Sequence, residues 1–237
     1  FTVDDNLSLS EEIKARYRSM YTGVFFKRYI LGLWAMAEGI IYDMFDADKH
    51  VQKITDFFRC LKDGGRYVSC DYGTQNATVF LLWNKGNNGK WYCVREYYYS
   101  GRAKGKQKTD GEYADDFEKW LDGVPIRAVI VDPAAASFIA ELRKRGYRVL
   151  KADNDVEDGI REVASMLNMG LLVFCDTCIN TIMEFGSYIW DEKAAQQGED
   201  RPVKENDHAM DAVRYFVYTI LSKRTGRVKN KAKYGFD

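Results

Sequence analysis

Between Arg66 and Tyr99 three β-rich runs follow one another with no room for a helix between them. A short polar turn separates Tyr67–Cys70 from Thr78–Trp83. Gly86-Asn87-Asn88-Gly89 is then a hairpin signal that leads into Trp91–Tyr99. Beyond residue 100 the pattern changes. Ile126–Val131 is a β-branched run between Pro125 and Asp132-Pro133, the pattern of a parallel strand buried on both faces. Helical spacing occupies Gly111–Leu121 before it and Ala134–Arg145 after it. A strand at Tyr147–Leu150, a helix at Val156–Asn168 and a short strand in Leu171–Phe174 follow. A meander of three antiparallel strands followed by β–α alternation predicts an α/β domain with a mixed sheet flanked by helices.

Residues 1–65 have a different character and read as an extension or linker into the domain. They hold a helix in Leu7–Tyr21 with Ser10 as N-cap, then an aromatic-rich stretch of mixed period, and close on Gly64-Gly65. The main domain spans 66–222, and 223–237 is a basic tail. No apolar stretch is long enough for a membrane-spanning helix. The acidic start FTVDDN is no signal peptide, and an initial Phe1 in place of Met reads as an excised or processed chain. Five cysteines, an odd number lying in apolar segments, favour reduced thiols in a cytoplasmic setting. Cys175 and Cys178 form a CxxC that can be half of a zinc site or a redox pair. With no second CxxC in the chain, core thiols are the preferred reading.

Two of the expected strands end in an acid: Asp71 follows Val68-Ser69-Cys70, and Asp132 follows Ala128–Val131. A carboxylate beside a buried strand is costly unless something positive holds it. Each alone can be a turn or cap residue, and Asp132-Pro133 suits a helix N-terminus. If the strands are neighbours, both acids emerge at one sheet edge, where α/β ligand sites lie. A third acid comes from Asn206–Phe216, where Asp207, His208 and Asp211 share a helix face. Asp207 suits an N-cap. Asp211, one turn in among apolar neighbours, has low helix propensity and a desolvation cost. Carboxylates gathered without a matching Lys or Arg call for divalent cations. Hard oxygen ligands select Mg²⁺ or Mn²⁺, and two such ions can activate a water and stabilise the leaving oxygen of a phosphodiester.

The order CDYG, VDPA, NDHAMDAVRY resembles the C-terminal nuclease domain of tailed-bacteriophage terminase large subunits, in particular the group found in defective Bacillus prophages. GVFFKRYILGLWAMAEGIIYDMF is similar to that group's stretch linking the packaging ATPase to the nuclease, and REYYYSGRAKGKQKTDGEYADDF also matches. The resemblance implies a ribonuclease H-like fold and a metal-dependent endonuclease holding two Mg²⁺ or Mn²⁺ ions. It would cut concatemeric viral DNA at the start and end of packaging. Carried over, Asp71, Asp132 and Asp211 are the metal ligands and catalytic acids, His208 lies beside them, and Asp207 is an additional candidate. The implied partners are double-stranded DNA, the portal protein and the small terminase subunit. The implied location is the host cytoplasm, transiently at the procapsid portal. The family's ATPase loop, GxxxxGK[ST], is absent from this sequence.

Lys and Arg number 35, as do Asp and Glu, so DNA contact has to come from local clustering. Arg102, Lys104, Lys106 and Lys108 are the best phosphate-binding candidates, although a solvated loop explains them equally well. The tail, with Lys223, Arg224 and Arg227, can add nonspecific affinity. Two other readings stand beside the terminase one: a ribonuclease H-like resolvase or transposase sharing the acidic triad, and a non-catalytic module docking on portal or small subunit.

Overall fold

The computed structural model describes residues 2–74 and 76–222, so the basic tail expected at 223–237 lies outside the described residues. Strands run at Val51–Gln52 (β1), Tyr67–Asp71 (β2), Ala77–Lys85 (β3), Trp91–Ser100 (β4), Ala128–Val131 (β5), Val149–Lys151 (β6) and Leu172–Cys175 (β7). Among the described residues they form one seven-stranded sheet in the order β1-β7-β4-β3-β2-β5-β6. The β2–β3 and β3–β4 pairs are antiparallel, and the other neighbours are parallel. The expected meander and the expected alternation are both present, joined side by side through β2 and β5.

The central strands read as continuous apolar runs because both faces of the sheet are covered. Val68, Cys70, Phe80, Leu82, Val129 and Val131 face one hydrophobic cluster, while Tyr67, Val79, Leu81, Trp83, Ala128 and Ile130 face a second. The longer helices are Glu11–Met20 (α1), Asp110–Leu121 (α2), Ala136–Lys144 (α3), Val156–Asn168 (α4), Ile179–Ser187 (α5) and His208–Phe216 (α6). Helices α2 and α3 cover the first face through Tyr113, Phe117, Phe138 and Leu142. Thr109 and Glu112 form a capping box that fixes where α2 begins. The second face is covered by α4, α5 and α6 through Val163, Phe185, Val213 and Phe216. There Trp83 stacks on Phe216 with centroids 4.3 Å apart, and its indole N–H donates to Ser69 Oγ at 2.9 Å. Helix α6 is thereby laid across β2 and β3, and it continues into a π-helical turn at Val217–Leu221.

The extension is more deeply built into the domain than its sequence indicates. Val51–Gln52 pairs with β7 as an edge strand, and Phe25, Tyr42 and Phe57 are buried in the second cluster. A two-residue strand carries no periodicity to detect. Ser10 caps α1 as expected, accepting from Ile13 N at 3.3 Å. Cys70, Cys93, Cys175 and Cys178 are buried thiols, with Cys93 and Cys178 sulfurs 3.8 Å apart.

Candidate active site

Strand register brings the first two acids together. Cys70 is the partner of Val131 in the parallel β2–β5 pair, so Asp71 and Asp132, each one residue further on, leave the sheet side by side at the strands' C-terminal ends. Cys70 and Val131 point into the first cluster. Alternation therefore turns Asp71 and Asp132 toward the other face, where α6 lies. Asp71, Asp132, Asp207, His208, Asp211 and Tyr215 line one open cavity of about 600 Å³. All the acids expected from sequence reach that cavity.

Each acid is already engaged. A hydrogen bond of 3.0 Å joins His208 Nδ1 to Asp71 Oδ2. Asp132 Oδ1 accepts from Ala134 N at 2.7 Å, closing the turn after β5, while Oδ2 accepts from the Tyr215 hydroxyl at 2.6 Å. The same Asp132 side chain thus closes the turn and lines the cavity. Asp211, 7% exposed, accepts at Oδ1 from Arg214 Nη2 at 2.8 Å and at Oδ2 from Lys204 Nζ at 3.4 Å. Lys204 Nζ also lies 3.2 Å from Asp207 Oδ2.

This corrects the expectation that the acids lack a matching cation. Arg214 is 2% exposed and is anchored by the carbonyls of Asn154 and Asp155, at 2.9 and 3.2 Å. Gly159 leaves the space its aliphatic chain fills: a Cβ there would sit 2.6 Å from Arg214 Cγ. Neither cation stands out in the sequence, because Arg214 sits in a helix stretch that reads as apolar and Lys204 in a stretch that reads as loop.

The N-cap expectation for Asp207 is also corrected. Its side chain makes no cap hydrogen bond, because it is turned toward Lys204. Two of the free N–H groups of α6 are taken by Glu184 of α5, whose Oε2 accepts from Ala209 N at 2.7 Å and Met210 N at 3.2 Å. No sequence signal marks Glu184.

Burial pushes the Asp71 carboxyl up to about 6, against the His208 hydrogen bond and with the charge of Asp211 adding to the rise. Burial works to lower the His208 pKa, but the hydrogen bond and charge of Asp71 outweigh it and the pKa is raised. Lys204 is held charged in the same way, the pull of Asp211 and Asp207 exceeding its desolvation.

The donor set suits a hard divalent cation. Four carboxylates line the cavity against two permanent cations, Lys204 and Arg214, so negative charge remains in excess. Convergence is incomplete, however. Among the described residues, no three His, Cys, Asp or Glu side chains stand close enough together to hold one ion. Asp71 is oriented by His208. The Lys204 side chain, 64% exposed, reaches Asp207 and Asp211 from the solvent side.

The four cations proposed for DNA divide into two kinds. Arg102 and Lys104 sit exposed on a short helix, Gly101–Lys104, rather than in a loop. Lys106 Nζ is 3.5 Å from Glu112, and Lys108 is paired with Asp116 and lies over the Tyr99 ring at 3.9 Å. Lys108 is therefore committed within the fold.

Comparison with known proteins decides the family. The profile of the terminase RNaseH-like domain matches residues 71–219, beginning at the first acid and running past the third. The chain belongs to that family. The large terminase of a thermophilic bacteriophage, solved in complex with ADP, is 57% identical with a TM-score of 0.87, covering 93% of this chain and 55% of its own. The terminase large subunit of Escherichia phage T5 is 26% identical over 197 residues, covering 79% of this chain and 43% of its own. This terminase domain thus spans about half the length of those relatives. The nuclease domain of the bacteriophage SPP1 large terminase, solved with bound Mn, is 18% identical with a TM-score of 0.53, covering 77% of this chain and 100% of its own. At that identity it shares the fold. The mixed sheet with flanking helices is the ribonuclease H-like architecture expected from sequence. No helix among the described residues is long and apolar enough to cross a membrane.

Proposed function

We propose that this chain is the nuclease portion of a phage DNA-packaging terminase, a divalent-metal-dependent endonuclease that cuts concatemeric DNA when packaging starts and ends. The observation that carries the reading is the register-matched pair Asp71 and Asp132 at the sheet edge, with Asp211 of α6 in the same cavity. Asp71, Asp132 and Asp211 would hold two Mg²⁺ or Mn²⁺ ions, with Asp207 as a further donor. The ions would supply an activated water and charge stabilisation at the scissile phosphate. SPP1's domain, solved with Mn, supports that choice of metal.

The chain's own residues do the rest. Tyr215 and the Ala134 amide hold Asp132 in one orientation. With Nδ1 bonded to Asp71, His208 has Nε2 left to exchange a proton with a leaving oxygen or bound water. Arg214 steers Asp211 toward the cavity while Lys204 acts as its counter-charge until metal arrives. Arg102 and Lys104 would contact phosphates without reading bases.

Double-stranded DNA is the substrate in this reading, the portal and small terminase subunit are the partners, and the host cytoplasm is the setting. Residues 1–65 would connect to the packaging motor. A plasmid-nicking assay in Mn²⁺, Mg²⁺ or EDTA tests the reading. Nicking and linearisation in either metal, abolished by EDTA, is the expected result. A chain that binds portal yet never nicks would instead be the docking module, and full-rate cleavage in EDTA would overturn the metal.

A further inference from the structure

Glu184 is 5% exposed, and the chemistry derived above does not use it. It sits in α5, yet its carboxylate reaches two other elements. Oε2 takes two free N–H groups in the first turn of α6, from Ala209 and Met210. Oε1 accepts from the Tyr98 hydroxyl of β4 at 2.9 Å.

A helix start is ordinarily capped by a short polar side chain of the residue before it, at no cost in buried charge. Asp207 occupies that position and does not cap. The fold instead spends a buried carboxylate, placed next to a cavity that already holds four others. Burial raises the Glu184 pKa to about 7, which registers that expense. A local cap would finish the helix but leave it unattached. The Glu184 bridge finishes the helix and also ties its first turn to β4, two strands from β2 in the sheet.

We propose that Glu184 is a positioning residue: it fixes the first turn of α6, and with it Asp207, His208 and Asp211, against the sheet edge that presents Asp71 and Asp132. With the cap supplied by Glu184, the Asp207 side chain is turned to Lys204 and lines the cavity. The proposal rests on the reading of this cavity as a metal site, and partners of this kind typically set affinity for the ion although they never touch it.

The test uses the 237-residue chain and two variants, Glu184→Gln and Tyr98→Phe, the second removing one hydroxyl from a half-buried residue. Amide exchange across 208–211 is read in EDTA, and Mn²⁺ affinity by calorimetry. The proposal expects native circular dichroism, faster exchange in both variants, and Mn²⁺ binding weakened roughly tenfold by Glu184→Gln and less by Tyr98→Phe. Should Glu184→Gln not fold, Tyr98→Phe is judged by the same two readings. A lowered melting temperature with unchanged exchange, and Mn²⁺ affinity within about twofold of the parent, overturns it, since a purely structural bond would behave that way. If the parent binds no Mn²⁺, the metal reading fails instead. Exchange at 208–211 then still shows whether Glu184 holds the helix start.

Discussion

Arg214 Nη2 donates to Asp211 Oδ1 at 2.8 Å, so the third acid of the site is neutralised by a buried guanidinium one turn along its own helix. That contact changes what Asp211 is for. It is at once a candidate ligand and the counter-charge of Arg214.

Asp211→Asn is therefore expected to abolish cleavage and also to lower stability. An acceptor oxygen survives, but the charge-assisted bond does not, at about 1.5–3 kcal/mol. Asp207→Asn loses no cap hydrogen bond and is expected to fold like the parent, with activity cut modestly. Nicking time courses at low temperature, with melts by circular dichroism, check both. A dead Asp207→Asn beside an active Asp211→Asn would reverse the assignment.

Gly159→Ala tests the support behind Arg214. In an ordinary helix interior this change stabilises by about 1 kcal/mol. Here the new Cβ would lie 2.6 Å from Arg214 Cγ and 2.8 Å from Cδ, the middle of a side chain anchored at its far end. The sign is expected to reverse, to a destabilisation of about 1–3 kcal/mol, with cleavage impaired although the residue does not line the cavity. An alanine variant that melts higher and cuts normally would show that Arg214 is free to move.

Lys204→Met removes the ammonium that lies between Asp207 and Asp211. The metal-free protein is expected to lose no more than about 1 kcal/mol, because the lysine is largely exposed. Mn²⁺ affinity is expected to rise up to about fivefold, the equivalent of that same 1 kcal/mol. Weaker Mn²⁺ binding would mean that Lys204 assists the ion.

Stability in chelator is expected to fall as pH rises from about 5 to 8. The acids Asp71 and Glu184 have folded pKa values raised to about 6 and about 7, so their burial penalty sets in above the unfolded values and grows with pH. His208 is also raised; its contribution is complete below its ordinary value and is lost as pH passes the folded one. All three signs agree, because the folded chain holds more protons across that window. Asp71→Asn is expected to flatten the decline and to leave the metal-free melting temperature unchanged or higher. Saturating metal, at one hundred times its Kd, is expected to add about 2.7 kcal/mol to the parent and less to Asp71→Asn. A metal-free melting temperature that climbs with pH would contradict the account.

Asp71 and Asp132 are legible in the sequence because each ends an apolar run, a local signal with a local cost. Asp211 is legible because a mid-helix carboxylate among apolar neighbours needs a reason. Their convergence rests on the β2–β5 pairing, which sequence can frame only as a condition. What stays hidden is what answers those charges. Arg214 lies three positions from Asp211 on the same helix, a pairing that helical spacing alone allows. That it turns inward and is buried depends on Gly159 and the Asn154 and Asp155 carbonyls. Lys204 lies seven positions from Asp211 in a loop, and Glu184 reaches Ala209 across 25 positions. The same holds for β1, too short for any period, and for Lys108, whose pairing with Asp116 depends on how α2 packs beside β4. Local preference marks the acids; tertiary packing chooses their partners.

The most direct test of the account is a crystal of this chain soaked in Mn²⁺, read by anomalous scattering. The account predicts two peaks in the cavity, bound by carboxylate oxygens of Asp71, Asp132 and Asp211, with Lys204 Nζ withdrawn from Asp207 and Asp211. Full soaking that leaves the cavity without a peak, and Lys204 still between the two aspartates, would contradict it.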